Sequence, residues 1–208
     1  MPRLRIEANR IRPARIQDVM ATDEVRWVAE ARRGDRNAFR RLVEAYSRAL
    51  FALCMRITRD STMAEDAVQE ALFNAYRHLG DFDGRSSFKT WLHRIAVNAA
   101  LEQLRRNGKH GVTFSDASPD DDGEDFLASR ADEAPTPDRH ALGGEIGRQI
   151  EDQLARMSTL ERTAFVMRHH EGQSLETIAE TLSLNISASK QAIFRAVRKL
   201  RGALEPLR

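Results

Sequence analysis

The sequence predicts an all-α protein, built as two small helical domains joined by a flexible acidic linker. Apolar residues recur at three- and four-residue steps on both sides of a polar central stretch, and no β-alternating run of useful length occurs. The central stretch holds three prolines and a block of acids, a composition that cannot bury enough apolar surface to fold. The expected divisions are an N-terminal arm, 1–22; a first domain, 23–107; the linker, 108–143; and a second domain, 144–208.

Length and composition exclude several classes of protein. The chain has 208 residues, of which 41% are hydrophobic and 31% charged, enough for one or two modest cores and too irregular for a fibrous protein. No apolar run approaches the ~18 residues of a membrane span, and the first residues lack the apolar core of a secretory signal. The single cysteine, Cys54, excludes an internal disulfide framework and fits a reducing, cytoplasmic location.

The arm and the first domain are interpreted from their periodicity. The arm has five arginines, two acids and little periodicity, which favours disorder, and Met20 is an alternative start of the chain. In the first domain, Thr22 or Asp23 can cap a short helix that stops near Gly34, and a second helix follows Asp35. A third helix is expected at about 63–79 and a fourth after the serines at 86 and 87, ending at 106. The apolar stripe of the third helix is predicted to be Val68, Leu72, Ala75, Tyr76 and Leu79.

The second domain contains the pattern of a helix-turn-helix. Ser158 and Glu161 form a capping box at the start of one helix, in which each side chain satisfies a free backbone donor. Ser174 is then predicted to cap a short helix, and Ser187 to cap a final one after a three- to four-residue turn. The final helix, 187–201, carries five bases and no acid, as expected of a helix that enters a DNA major groove.

Charge is segregated along the chain. The formal net charge is +2, but residues 115–138 carry nine acids and one base, so the rest of the chain is strongly basic. Residues 85–109 contain six bases and one acid, with Phe88 and Trp91 among them; this suits partly single-stranded nucleic acid, although the two rings are first expected in the core. Residues 60–83 hold six acids, which indicates either a protein partner or a solvated face.

Three ordered motifs carry a family resemblance. The stretch AEDAVQEALFNAYRHL, followed by SSFKTWLHRIAVNAALEQLRR, resembles regions 2.2 to 2.4 of the extracytoplasmic-function (ECF) sigma factors of bacterial RNA polymerase. The segment LERTAFVMRHHEGQSLETIAETLSLNISASKQAIFRAVRKLR is similar to their region 4, and GDRNAFRRLVEAY to their region 2.1. The resemblance implies a transcription initiation factor with a sigma2-like bundle and a sigma4-like helix-turn-helix domain.

The resemblance assigns three sets of site residues. The acidic helix is expected to dock on the clamp of the largest subunit of core RNA polymerase, through Glu65, Asp66, Gln69, Glu70 and Asn74. The basic helix is expected to face the promoter −10 element, through Ser87, Lys89, Arg94, Asn98, Arg105 and Arg106. The last helix is expected in the −35 major groove, through Ser187, Ser189, Lys190, Arg195, Arg198 and Lys199.

Three further expectations follow from the resemblance. The loop 82–87 would help to hold a base flipped out of the stack, so that recognition of the −10 element is coupled to melting. Ser183 stands where such turns often have glycine, and a left-handed serine costs about 1 kcal/mol. Ala192 occupies a position that is often basic in relatives, which argues against direct base readout there.

Other functions are weighed against this interpretation. An enzyme is not expected, because Asp120, Asp121 and Asp122 lie in the linker and the adjacent His169 and His170 point about 100° apart on a helix. For the same reason neither a metal nor another cofactor is expected. A stand-alone helix-turn-helix regulator would explain the second domain but would leave the acidic and basic helices of the first unconnected. An anti-sigma factor is a further candidate partner, and the acidic linker is either a plain tether or a segment that occupies a nucleic-acid channel.

Overall fold

The computed structural model describes residues 13–108 and 140–204, which form eight α-helices and, within those ranges, no strand. The N-terminal unit contains α1 (Pro13–Arg32), α2 (Arg36–Thr58), α3 (Ser61–Arg77) and α4 (Phe88–Arg106). The C-terminal unit contains α5 (His140–Arg156), α6 (Thr159–Phe165), α7 (Leu175–Leu182) and α8 (Ile186–Leu204), with a π-helical turn over Val166–His170 after α6. The prediction of an all-α protein with two helical domains is confirmed.

Side-chain caps place most helix starts where the sequence predicts them. The Asp35 carboxylate accepts from the N–H groups at the start of α2, and Ser87 accepts from Thr90 N–H at the start of α4. The capping box of α6 is complete, since Ser158 and Glu161 each accept from the other's backbone N–H. Free donors at a helix start are costly when unpaired, so each cap fixes where its helix begins.

Three predicted boundaries are wrong. The first helix begins at Pro13, not at Thr22 or Asp23, so part of the predicted arm is helical; proline suits a first helical position because it has no N–H to leave unpaired. At the start of α8, the amide oxygen of Asn185, not Ser187, accepts from Ala188 N–H at 2.7 Å. The helix α5 begins at His140, inside the predicted linker. The remainder of the linker and of the arm lies outside the described residues.

The core of the N-terminal unit lies between α2, α3 and α4. Leu50, Leu53 and Ile57 of α2 are fully buried, and α3 presents a row of alanines, which lets the neighbouring helices approach closely. Tyr76 does not belong to this core as predicted: it is 46% exposed, and its ring meets the ring of Phe39 edge-on at 4.9 Å. Cys54 is buried among these side chains, and burial raises the pKa of its thiol to about 12.

The helix-turn-helix of the C-terminal unit has a strained turn. Ser183 ends α7 with φ 55° and ψ 42°, which confirms the left-handed conformation that the sequence predicts for it. In that conformation the N–H of Leu184 reaches the carbonyl of Ala179 at 2.9 Å, which closes the end of α7. The chain is thereby turned into α8, whose Ala192, Ile193 and Ala196 are fully buried against the rest of the unit.

The two units are in contact, and one cluster of buried side chains spans both of them, while Leu154, Met157, Ala196 and Leu200 form a second, smaller cluster within the C-terminal unit. Arg162 on α6 is buried at this junction and donates from Nε and Nη2 to the carbonyl of Ile57, at 3.1 and 2.8 Å. Its Nη1 donates to the carbonyls of Leu154 and Met157, both at 3.4 Å. These carbonyls lie at or next to the ends of α2 and α5, where helix carbonyls lack intrahelical partners and carry partial negative charge. Burial and the charge of Arg59 lower the pKa of Arg162 to about 10, so it stays charged at neutral pH.

Candidate nucleic-acid and partner surfaces

The acidic residues predicted to bind the polymerase lie along one face of α3. Glu65, Asp66 and Gln69 are exposed. Glu70 is half-buried, where it accepts from Gln103 Nε2 at 3.2 Å and pairs with Arg106 at 3.4 Å. Asn74, also half-buried, continues the same face one turn further on. The structure therefore brings these five residues together on one helix surface.

Two exposed aromatic residues extend this acidic face, and neither was predicted from the sequence to lie at the surface. Phe73 is 61% exposed and lies under the guanidinium of Arg77, which is 5.6 Å from the ring centre. Tyr76, noted above, is exposed on the following turn. Positions 66, 69, 70, 73 and 76 follow the three- and four-residue spacing of one helix face, and this spacing could have revealed both rings. Exposed aromatic rings beside charged groups are typical of protein-binding surfaces.

The residues predicted to face the −10 element are spread over α4. Lys89 and Asn98 are exposed, and Ser87 is exposed with its hydroxyl engaged as the N-cap of the helix. Arg94 is half-exposed and pairs with Glu180 of α7 at 3.1 Å. At the other end of α4, Arg105 and Arg106 pair with Glu102 of the same helix. The predicted cations therefore reach the surface, but several are already paired with carboxylates.

The aromatic residues near the start of α4 are core residues, as first expected. Phe82, Phe88 and Trp91 pack together with ring centres 5.3–5.8 Å apart, and Phe88 also contacts Tyr46. The loop that precedes α4 is closed by an ion pair between Asp83 and Arg85. Hydrogen bonds from the backbone and side chain of Arg85 hold the pKa of Asp83 below its usual range. The loop is therefore anchored to α4 by the packing of Phe82 against Phe88 and Trp91.

The residues predicted on the −35 helix fall into three groups. Ser187, Lys190 and Arg198 are exposed on α8. Lys199 pairs with the largely buried Glu161 at 2.6 Å, and Arg195 is half-buried. Ser189 is fully buried and donates its hydroxyl to the carbonyl of Asn185 at 3.0 Å. Ala192 is buried as well, so neither residue presents a side chain to a groove.

The residues considered for an enzyme or metal site do not lie together in a site of this kind within the part of the chain that the structure describes. His169 and His170 lie in the π-helical turn after α6, where the His169 ring packs on Phe165 at 4.7 Å. Burial and the charge of Arg56 lower the pKa of His170. The three aspartates of the linker lie outside the described residues. Within 13–108 and 140–204, no cluster of three metal-ligating side chains occurs, and no helix has the length and apolarity needed to cross a bilayer.

An acidic helix face, a basic helix beside it and a separate helix-turn-helix are the arrangement expected of a transcription factor. Comparison with known families agrees: the Sigma-70 region 2 family matches residues 42–110, and the Sigma-70, region 4 family matches residues 147–200. The chain belongs to the extracytoplasmic-function family of RNA polymerase sigma factors. Members of this family are non-enzymatic factors for transcription initiation.

Curated relatives match over most of both chains. The RNA polymerase sigma-H factor of Pseudomonas aeruginosa is 36% identical over 181 residues, covering 86% of this chain and 93% of that protein. The ECF RNA polymerase sigma-E factor of Haemophilus influenzae is 31% identical over 180 residues, covering 86% and 94%. The ECF RNA polymerase sigma factor SigW of Bacillus subtilis is 28% identical, covering 86% and 96%.

Two solved structures have a similar fold. CnrH, in complex with the cytosolic domain of CnrY, gives a TM-score of 0.57 at 26% identity, covering 88% of this chain and 97% of CnrH. The sigma factor RpoE of Bartonella quintana, in complex with the anti-sigma factor NepR, also gives 0.57, at 25% identity and 80% and 96% coverage.

Proposed function

We propose that this sigma factor grips core RNA polymerase with α3, contacts the promoter −10 element with α4 and contacts the −35 element with α8. The observation that carries the proposal is the juxtaposition of opposite charges on adjacent helices: acids and exposed aromatic rings on α3, and cations on α4. A surface that binds a protein machine next to one that binds DNA suits an adaptor between the two. The stand-alone regulator is not favoured, because it leaves the α3 face without a use.

The α3 face is proposed to bind the clamp of the largest polymerase subunit. Glu65, Asp66 and Gln69 would form its exposed polar part, with Glu70 and Asn74 at its edge. Phe73 and Tyr76 would supply the apolar contact area that charge alone does not provide. The contact between Glu70 and Arg106 places this face directly beside the basic end of α4, so that polymerase binding and DNA binding adjoin. A second contact, between the C-terminal unit and the flap region, follows from the family resemblance.

The α4 helix is proposed to engage the −10 element. Lys89, Arg94, Arg105 and Arg106 suit phosphate oxygens, which a strand presents whatever its sequence. Asn98 and Ser87 suit neutral contacts to the strand, and the loop 82–87 would hold a flipped base. Capturing an unstacked base would offset the few kcal/mol that unstacking costs, which couples reading to melting.

The α8 helix is proposed to read the −35 element in the major groove. Lys190 and Ser187 lie on its exposed N-terminal part, the part that meets base edges in a helix-turn-helix. Arg198 suits a phosphate, and Arg195 and Lys199 would have to turn away from their present settings to reach DNA. Ser189 is left out of the proposed surface because it is buried.

Cellular context completes the proposal. The protein would act without a cofactor and without catalysing a reaction, in the cytoplasm, where core polymerase and promoters are found. An anti-sigma factor is proposed as a regulator, since one similar solved structure is of the sigma factor RpoE bound to the anti-sigma factor NepR.

A pull-down with core RNA polymerase tests the proposal. Asp66→Arg with Glu70→Arg is expected to abolish core binding and run-off transcription with unchanged helical content by circular dichroism, because it reverses the charge of the docking face. Asp66→Arg alone is expected to weaken binding, and it leaves the partner of Arg106 in place. Asp152→Arg with Glu176→Arg is the matched control, since both acids are exposed and lie in the C-terminal unit. Core binding that is equal in all variants would reject the α3 assignment.

A further inference from the structure

Carboxylates of the C-terminal unit lie against the helix that is proposed to bind the −10 element. Glu171, which follows the π-helical turn, lies 3.8 Å from Lys89 Nζ and 2.7 Å from His93 Nδ1, although the imidazole is not aligned for a linear hydrogen bond. On α7, Glu180 lies 3.1 Å from Arg94. Three successive positive or protonatable groups of α4 therefore face acids of the other unit.

These contacts are partly shielded from solvent. The side chains of Glu171 and His93 are only 10% and 3% exposed, so their pairing is little weakened by water or salt. Burial alone would raise the pKa of Glu171, but the contact with His93 and the charge of Lys89 lower it below its usual value. The Glu180–Arg94 pair is exposed and contributes less.

A second set of contacts, made with α2, holds the same arrangement. Arg162 joins the end of α2 to the end of α5, as described above. Glu151 of α5 pairs with Arg56 and Arg59 of α2, at 3.6 and 3.4 Å. The C-terminal unit is thus held by contacts to both α2 and α4, which define its position over α4 more firmly than one contact would.

We propose that the free chain holds itself in a closed state, in which Glu171 and Glu180 of the C-terminal unit occupy the α4 cations that would otherwise bind −10 DNA. The proposal rests on the proposed role of α4. A carboxylate and a phosphate compete for the same ammonium or guanidinium group, so the closed unit and the DNA strand exclude each other at Lys89 and Arg94. The chain would then bind −10 DNA only in the fraction of molecules that is open, and its apparent affinity is reduced by that fraction.

Intramolecular energy transfer measures closure directly, in the full-length chain and without DNA. Ala45 on α2 and Ala155 on α5 are exposed and have small side chains, so cysteines introduced there can carry a donor and an acceptor dye. The natural Cys54 is fully buried and has a raised pKa, which leaves it unreactive under the same labelling conditions. Glu171→Lys with Glu180→Lys is expected to lower transfer efficiency by placing like charges against α4. Asp152→Lys with Glu176→Lys, the matched control, is expected to leave it unchanged.

A charge swap distinguishes opening of the chain from misfolding. Lys89→Glu with Arg94→Glu is expected to open the chain in the same way from the other side of the contact. Combining all four substitutions restores opposite charges and is expected to recover the transfer efficiency of the natural sequence. Unchanged efficiency in both double variants would overturn the closed state, whatever the role of α4 in DNA binding.

A second measurement separates the closed state from the proposed role of α4. A short random-sequence single-stranded DNA is titrated into the unlabelled chain, and its affinity is compared between the Glu171/Glu180 variant and the matched control. We expect the Glu171/Glu180 variant to bind this DNA about tenfold more tightly than the control, which corresponds to an open fraction of about one tenth in the natural chain. Opening without a gain in affinity over the control would overturn the −10 role of α4, and with it the competition proposed here, while leaving the contact itself established.

Discussion

Single residues of this chain are held in conformations and settings that carry a measurable free energy. Ser183 adopts φ 55°, a region that costs an L residue about 1–2 kcal/mol. This conformation forms the turn that joins the two helices of the helix-turn-helix. Arg162 loses most of its hydration, and its compensation is a set of hydrogen bonds to helix-end carbonyls. Both residues couple local chemistry to the placement of whole helices.

Ser183→Gly is expected to stabilise the protein by about 0.5–1 kcal/mol. Glycine adopts the left-handed region without the clash of a Cβ atom, although the extra freedom of the unfolded chain offsets part of the gain. Urea denaturation measures the change. Ser187→Gly is the control, because in the first turn of α8 glycine should destabilise by a similar amount. A loss of stability at Ser183 would show that the serine side chain outweighs the strain.

Arg162→Met is expected to lower the free energy of unfolding by about 3 kcal/mol. The methionine fills a similar volume but leaves buried carbonyls of α2 and α5 without donors, each at a cost of about 1–3 kcal/mol, while removal of a buried charge returns part of this. Thermal or urea denaturation measures it. Arg156→Met at the exposed end of α5 is the matched control and should change stability little. Equal midpoints for the two variants would contradict the structural role of Arg162.

At the scale of elements, α3 and α4 each have a packing face and an exposed polar face. The alanines of α3 allow close packing against α2 and α4, and the same helix turns its acids and two aromatic rings outward. The packing of α4 buries Phe88 and Leu92 and leaves Lys89 and Asn98 at the surface. Because helical side chains repeat every three to four residues, one short sequence can serve both purposes.

Phe73→Ala is expected to weaken the binding of core polymerase about tenfold or more, with little change in stability, because the ring is exposed in the free protein and would be buried on docking. Surface plasmon resonance against immobilised core enzyme measures the affinity. Val25→Ala on α1 is the control, since Val25 is the more exposed of the two at 70%, against 61%, and lies on another helix. An affinity unchanged by Phe73→Ala would place the ring outside the docking surface.

At the scale of the whole molecule, the contact between the two units links electrostatics to shape. Glu171 is surrounded by Lys89 and His93 of α4, Arg56 of α2 and the neighbouring His170. Its folded-state pKa lies below the usual 4.5, so the closed state binds fewer protons there than the open state does. This ionic contribution to closure is therefore fully present above about pH 4.5 and is lost as the pH falls through the lowered value.

The Glu171 contribution to transfer efficiency should accordingly stay level from pH 7 to about pH 5 and decline at lower pH. His170, whose pKa is lowered by burial and by Arg56 of the other unit, adds a decline that begins as the pH falls below its usual pKa of 6.5. Far-UV circular dichroism on the same samples distinguishes opening from unfolding. Glu171→Gln removes the titrating group and is expected to flatten the decline, at a lower starting efficiency. A decline that is identical in this variant would assign the acid sensitivity to other carboxylates.

The sequence by itself determined the helices, their order and most of their caps. Periodicity and capping chemistry are local, so Asp35, Ser87 and Ser158 could be assigned from their immediate neighbours, and the left-handed Ser183 from its place in the turn. Charge segregation and the order of the motifs were also sufficient to indicate the family. Errors occurred where local signals are weak, as at the start of α1, or where two caps compete, as at Asn185 and Ser187.

Only the tertiary structure decided which faces are free. The burial of Ser189, the exposure of Tyr76 and Phe73, and the pairing of Lys199 with Glu161 depend on helices that are far apart in the sequence. The same holds for Arg162, whose carbonyl partner Ile57 belongs to the other unit, and for Glu171 against His93. Burial and long-range pairing are properties of the packed chain, because water and counter-charge are removed by residues that the local pattern does not contain.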